Sequence, residues 1–111
     1  MTDKEKALKV DKLIKNLHSR DWNAFEDKGW YARTRAAEAL GLLGYKSDKV
    51  EQALLKALND EDKYVRGKSA EALGNLGIKS DKVQQALVNA MCDDKDFVRE
   101  QAKRAIMKLF Y

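Results

Sequence analysis

Hydrophobic residues recur along this chain at the spacing of amphipathic α-helices. The first set, at positions i, i+3, i+4 and i+7, comprises Val10, Leu13, Ile14 and Leu17. Five similar stretches follow, and the chain contains no proline that would interrupt them. Gly44 and Gly77 stand directly after two of these stretches, where a left-handed residue commonly ends a helix. The pattern predicts six helices, over residues 1–18, 30–43, 48–58, 63–76, 81–91 and 96–110.

The polar residues at the starts of these stretches predict how the helices begin. Thr2 and Glu5 have the spacing of a capping box, in which each side chain binds the backbone N–H of the other residue. Asp48 and Asp81 each precede a Glu or Gln by three residues, which is the same spacing with aspartate as the cap. We therefore expect Thr2, Asp48 and Asp81 to be N-caps.

The chain contains an internal sequence repeat. Residues 31–50 align without a gap on residues 64–83, with 14 of 20 positions identical and a shift of 33. At the same shift, residues 48–66 align on residues 81–99 with 10 of 19 positions identical. Because a fixed period of this length indicates stacked supersecondary units, we predict one all-α domain of three helical hairpins. Their predicted bounds are residues 1–44, 45–77 and 78–111.

The first and last repeats depart from this period. Residues 19–29 make the first repeat about seven residues longer, and we expect Trp22 and Phe25 in this insertion to fold back onto the end of the stack. In the last repeat, Lys103 and Met107 stand where the earlier copies have alanine and glycine. A charged residue at a stacking position is typical of a terminal repeat, so we expect the array to end there. The chain is expected to be a monomer or to form a weak homodimer through this C-terminal end.

Composition and charge narrow the possible functions. Hydrophobic residues make up 44% of the 111 residues and charged residues 36%, as in soluble helical proteins, and no apolar run is long enough to span a membrane. The net charge of +4 is spread evenly along the chain, which disfavours nucleic acid as the partner. One cysteine, Cys92, and one histidine, His18, exclude an internal disulfide and a four-ligand zinc site. We expect a cytoplasmic protein without a metal or a cofactor.

Each copy carries the same signature around its second helix. The three versions are Asp27 followed by WYARTRAAEALGLLG, Asp60 followed by YVRGKSAEALGNLG, and Asp93 followed by FVREQAKRAIMKL. This signature resembles that of the HEAT family, and specifically its short PBS-lyase-like HEAT repeats. The chain departs from the family pattern at Ala32, where valine is usual, at Met107, and in the insertion.

The resemblance implies a right-handed α-α superhelix whose second helices line a concave face. Such scaffolds mostly bind other proteins, although bilin lyases, a DNA glycosylase and a di-iron hydroxylase share the build. A fold alone assigns none of these activities. The single His18 excludes the di-iron chemistry, which requires several histidines.

Two sets of residues recur at equivalent positions of the repeats. On the second helices, the face opposite the apolar stripe is predicted to bind a protein partner through Tyr31, Arg35, Glu38, Tyr64, Lys68, Glu71, Phe97, Gln101 and Arg104. A structural ladder of carboxylates and guanidinium groups is predicted for Asp27, Asp60, Asp93, Arg33, Arg66 and Arg99. An ordinary solvated face remains the alternative for the first set, and a catalytic aspartate or an anion track for the second.

These observations favour a non-enzymatic protein-interaction module or scaffold. The alternative from another class is a nucleic-acid-binding module that uses the basic last helix, through Arg99, Lys103, Arg104 and Lys108. A bilin-lyase-like activity would rest on the resemblance alone, because the sequence contains no catalytic constellation. The sequence does not identify the partner.

Overall fold

The computed structural model describes residues 1–19 and 29–111, and within them it contains six α-helices arranged as three hairpins. The helices are α1 (Asp3–Leu17), α2 (Gly29–Leu43), α3 (Asp48–Ala57), α4 (Lys63–Leu76), α5 (Asp81–Ala90) and α6 (Asp96–Phe110). The predicted all-α solenoid of six helices is confirmed. Three residues of the sequence analysis, Trp22, Phe25 and Asp27, lie outside the described residues.

Three of the predicted helix boundaries follow the local chemistry of the sequence. The Thr2 hydroxyl accepts a hydrogen bond from the backbone N–H of Glu5 at 3.2 Å, and the Glu5 carboxylate accepts one from the backbone N–H of Thr2, so the capping box is confirmed. Gly44 and Gly77 both have φ of 72°, the left-handed conformation predicted for them. These residues allow the chain to leave α2 and α4 without strain.

The predicted caps of α3 and α5 are wrong by one residue. Ser47 and Ser80 are the N-caps, and their hydroxyls accept hydrogen bonds from the backbone N–H groups of Val50 and Val83, each at 3.1 Å. A cap oxygen reaches the N–H three residues later, so a serine that precedes the aspartate takes the role. Asp48 and Asp81 lie in the first turns instead, where their negative charges interact favourably with the positive end of the helix dipole.

The helices form two layers that differ in how closely their members approach. The second helices of the hairpins, α2, α4 and α6, lie side by side, with Gly41 against Ala72 and Gly74 against Ala105. A methyl group added at Gly41 would lie only 2.9 Å from the Cα of Ala72. The first helices, α1, α3 and α5, contact one another much less. Because the second helices are closer together, we expect the stack to curve towards them, with a concave outer surface.

The core lies between the two layers and continues through all three hairpins. Its fully buried large side chains are Leu17, Leu40, Leu54, Leu73, Leu87, Val50, Val65, Val83 and Val98. Ala37 and Ala70 are fully buried where α2 and α4 meet the next helix, whereas Lys103 at the equivalent position of α6 is exposed. No helix among the described residues is long and apolar enough to cross a membrane.

Candidate protein-binding surface

Aromatic side chains form a continuous row across the starts of the three second helices. The Trp30 ring lies 5.6 Å from the Tyr64 ring, and the Tyr64 ring lies 5.5 Å from the Phe97 ring, measured between centroids. Tyr31 meets Trp30 edge-on at 5.9 Å. These distances fall in the range of favourable aromatic pairs. Trp30, Tyr31, Tyr64 and Phe97 are called the aromatic ladder below.

The aromatic ladder is packed on one side and open to solvent on the other. Tyr31 is 49% exposed and Tyr64 is 41% exposed, whereas Phe97 is half-buried. Phe97 lies deeper because Gly67 of α4 makes room for it: a Cβ atom at Gly67 would lie 2.2 Å from Cε2 of the Phe97 ring. The glycine therefore fixes the position of the last ring.

Trp30 belongs to this surface but was not predicted from the sequence. The equivalent residues of the other repeats are Lys63 and Asp96, so repetition gave no indication of an aromatic site. The signal that could have identified it is its place beside Tyr31 at the start of a helix. Its indole contacts the rings of both Tyr31 and Tyr64, so it links the aromatic residues of the first two repeats.

A chain of ion pairs runs beside the aromatic ladder. Lys68 of α4 lies 3.5 Å from Glu38 of α2 and 3.4 Å from Glu71 of its own helix, and Arg35 lies 3.8 Å from Glu38. The predicted rows of cations and carboxylates therefore meet and pair with each other. Their charges are balanced on the surface, so they do not form a continuous positive track.

The last repeat differs from the other two on this face. Gln101 was predicted to be exposed and is in fact buried, and it lines a groove between α4 and α6. Arg104 is exposed and makes no ion pair in the described part of the chain. Arg104 therefore supplies an unpaired cation at the end of the charged row.

The recurring arginines and aspartates connect successive repeats. The Arg33 guanidinium donates to both carboxylate oxygens of Asp60, at 2.9 and 3.2 Å, and the two side chains are only 4% and 3% exposed. Asp60 also accepts a hydrogen bond from the backbone N–H of Asp62, which orders the turn before α4. Arg33 thus bonds the aspartate of the following repeat.

The same arrangement recurs one repeat later. Arg66 donates to both oxygens of Asp93, at 2.8 and 3.0 Å, and also to the backbone carbonyl of Asp60 at 2.9 Å. In the last repeat, Arg99 bonds the backbone carbonyl of Asp93 and the side chain of Asp96. Asp60 and Asp93 are therefore each held by a bidentate guanidinium from the preceding repeat.

Asp93 makes the stability of this ladder dependent on pH. Burial raises the pKa of Asp93, but the hydrogen bonds from Arg66 and from the backbone N–H of Lys95, together with the Arg66 charge, outweigh burial and hold the pKa below its usual range. The hydrogen bond to Asp93 in turn raises the pKa of Arg66. A carboxylate with a lowered pKa in the folded state stabilises the protein only while it remains ionised.

We predict that this stabilisation is fully present above the unfolded-state pKa of about 3.9 and disappears as the pH falls through the lower folded-state pKa. Urea unfolding of the wild type and of Asp93→Asn, at pH 7 and at several values below 4, measures the difference. The gap in the free energy of unfolding between the two proteins should narrow as the solution is acidified. A gap that stays constant over this range would contradict the prediction.

The remaining polar candidates do not assemble into a reactive site. His18 is the C-cap residue of α1, and Cys92 is an exposed free thiol. Within residues 1–19 and 29–111, no three His, Cys, Asp or Glu side chains converge as metal ligands. The features that recur on the described surface are therefore the aromatic ladder, the charged row and the inter-repeat ion pairs.

Comparison with known proteins places this architecture in a family. No curated protein matches the chain. A family model of HEAT repeats matches residues 10–107, a span that begins within α1 and ends within α6. Together with three stacked hairpins linked by recurring arginine–aspartate pairs, this match shows that the chain belongs to the HEAT-repeat family.

Proposed function

We propose that this protein is a non-enzymatic interaction module that binds a protein partner on the concave surface of its second helices. HEAT repeats generally mediate protein–protein interactions. The single observation that carries the proposal is the aromatic ladder, because it presents half-exposed tyrosine and tryptophan rings at the surface of the second helices. Tyrosine, tryptophan and arginine are the residues that most often anchor protein interfaces.

The rings are already ordered before any partner binds. Each contacts a neighbouring ring, Arg35 lies 5.9 Å from the centre of the Tyr31 ring, and Lys63 lies 5.1 Å from that of Tyr64. Ordering a side chain at an interface typically costs about 0.5–1.5 kcal/mol, so rings that are held in advance bind with less loss of entropy. The adjacent paired charges would supply orientation, since rim charges contribute more to specificity than to affinity.

The charge balance of this surface favours protein over nucleic acid. Glu38 and Glu71 lie beside Arg35 and Lys68, where they would repel a phosphate backbone. The exposed cations of α6 are the alternative site for nucleic acid. Binding to duplex or single-stranded nucleic acid is therefore expected to be weak, on the order of 10⁻⁴ to 10⁻⁶ M at physiological salt.

We expect Tyr64→Ala combined with Lys68→Ala to abolish partner binding while the protein remains folded. The variant carries alanine at position 68 because a charge-reversing glutamate would lie beside Glu38 and Glu71 and repel both. Loss of the Tyr64 ring contacts should lower the free energy of unfolding by about 1–2 kcal/mol. Loss of an interface anchor of this kind should weaken binding by more than about tenfold.

The test begins with affinity capture from native lysate with crosslinking, followed by a titration of the purified partner. The matched control is Gln52→Ala with Lys56→Ala on the exposed surface of α3, in the same repeat but in the outer layer. Loss of binding in the concave variant and retention in the control would support the proposal. Equal binding by both variants would exclude the concave surface, and sub-micromolar nucleic-acid binding that requires Lys103 and Arg104 would favour the nucleic-acid alternative.

A further inference from the structure

A second apolar surface lies at the N-terminal end of the stack, between α1 and α2. It is a groove of about 500 Å³ whose lining residues are Lys9, Lys12, Leu13, Asn16, Ala39, Leu42 and Leu43. Leu42 is 77% exposed, although it projects from a helix whose other leucines are at least partly buried. None of the four rings lines this N-terminal groove. At Leu13, Asn16, Ala39 and Leu42 it adjoins a second groove, which Tyr31, Arg35 and Glu38 line.

The repeats show what kind of structure covers such a surface. Ala39 of α2 is equivalent to Ala72 of α4 and to Ala105 of α6. Ala72 is covered by Gly41 of the preceding helix, and Ala105 is covered by Gly74 in the same way. Among the described residues, no helix covers Ala39, which remains partly exposed. The N-terminal groove thus contains a surface whose equivalents on α4 and α6 are each covered by a neighbouring helix.

The charges around the groove indicate the chemistry of the occupant. Lys9 and Lys12 border it, and neither makes an ion pair in the described part of the chain. No carboxylate lines the groove. Unpaired cations at the edge of an apolar surface favour a partner that brings acidic side chains to flank its apolar face.

A second copy of this chain does not fit these requirements. Its exposed end on α6 carries Lys103, which would face Lys9 and Lys12, and Met107, which occupies the position of the helix glycines and would hold the two helices apart. Two copies joined through their N-terminal grooves would bring the same lysines together. Like charges across an interface oppose both arrangements.

We propose that the N-terminal groove binds an amphipathic helix from another protein, with one large apolar side chain packed against Leu42 and Leu13 and with carboxylates beside Lys9 and Lys12. The helix would take the place that the second helix of a preceding repeat occupies elsewhere in the stack. This recognition depends on helical spacing of the apolar anchors, at i, i+3 or i+4, and i+7. It does not depend on the partner proposed for the aromatic ladder.

The proposal can be tested with a synthetic amphipathic peptide of about four helical turns. One version carries leucines on one face with flanking glutamates, and its twin carries lysines at the flanking positions. Titration by fluorescence anisotropy should show that the glutamate peptide binds and the lysine peptide does not. Binding of the glutamate peptide should weaken as salt is raised, because the flanking pairs are exposed.

Two variants and a control locate the binding site. Leu42→Asn introduces the residue found at the equivalent position 75, so the fold should tolerate it, and it should weaken binding of the glutamate peptide by at least about tenfold. Lys9→Glu with Lys12→Glu should reverse the preference between the two peptides. Met107→Asn, an exposed apolar residue at the opposite end, should leave binding unchanged.

Other outcomes would overturn the proposal. Equal binding of the glutamate peptide by wild type and Leu42→Asn would exclude the groove as its binding site. Equal binding of the glutamate and lysine peptides by the wild type would also overturn the proposal, because the groove would then not select acidic partners. Self-association in sedimentation experiments that Leu42→Asn abolishes would identify a second copy as the occupant. Binding to vesicles that contain anionic lipid, lost with Leu42→Asn, would identify a membrane surface. Leu42 also lines the groove beside Tyr31, so concave-face binding is tested separately with Tyr64→Ala, because Tyr64 lines neither groove.

Discussion

Replacement of Leu73 by alanine is expected to lower the free energy of unfolding by about 2–5 kcal/mol. Leu73 is fully buried on the middle second helix, where it is part of the core that connects all three hairpins. Truncation removes its apolar contacts and leaves a cavity that the closely packed helices cannot collapse to fill. In a stack of repeats, weakening the middle unit also weakens its interfaces with both neighbours.

The matched comparison is Leu109→Ala on α6. Leu109 is the equivalent of Leu76, three residues after Leu73, and is also buried, but α6 has a second helix on only one side among the described residues. The loss of stability should therefore be smaller than at Leu73. Urea unfolding of both variants followed by circular dichroism measures the difference, and equal losses would contradict the dependence on repeat position.

Replacement of Asp60 by alanine is expected to lower the free energy of unfolding by about 3–5 kcal/mol. The variant leaves the Arg33 guanidinium buried without the carboxylate that neutralises it, since both side chains are almost fully enclosed. It also removes the acceptor that orders the backbone of Asp62 before α4. The loss of stability arises mainly from the guanidinium charge of Arg33, because a buried charge is costly once its partner has been removed.

An exposed ion pair supplies the control. Asp11 and Lys49 lie 2.9 Å apart, at nearly the same distance as Arg33 and Asp60, but both are exposed. Asp11→Ala should change stability by less than about 1 kcal/mol. A double variant, Arg33→Met with Asp60→Leu, should recover part of the loss because it removes both charges. Equal effects at the two sites would show that burial does not determine the strength of the Arg33–Asp60 pair.

The inter-repeat pairs and the aromatic ladder therefore have different roles, although both recur with the same period. The arginine–aspartate pairs are enclosed and join one hairpin to the next, so their loss should affect folding. The rings of Tyr31 and Tyr64 retain a large exposed surface, so their loss should affect binding more than folding. Repetition alone does not distinguish these two roles, but exposure does.

The sequence by itself determined the local structure of this protein. Helical spacing of apolar residues, the capping box at Thr2, and the glycines at 44 and 77 specify the helices, because each depends on residues only a few positions apart. The 33-residue period and the signature of the second helices are sufficient to indicate the HEAT family, because both are properties of the amino-acid order alone. The caps at Ser47 and Ser80 could also have been recognised from local chemistry.

Contacts between repeats were decided only by the tertiary structure. A sequence period shows that Arg33 recurs as Arg66 and Asp60 as Asp93, but it does not reveal that an arginine bonds the aspartate of the following repeat. The inclusion of Trp30 in the aromatic ladder and the burial of Gln101 likewise depend on neighbouring helices, as does the open groove beside Leu42. Helical periodicity gives the direction of a side chain relative to its own helix axis. Burial and partners depend on which helix lies opposite and how closely it approaches, and here small residues such as Gly41, Gly67 and Gly74 set that distance.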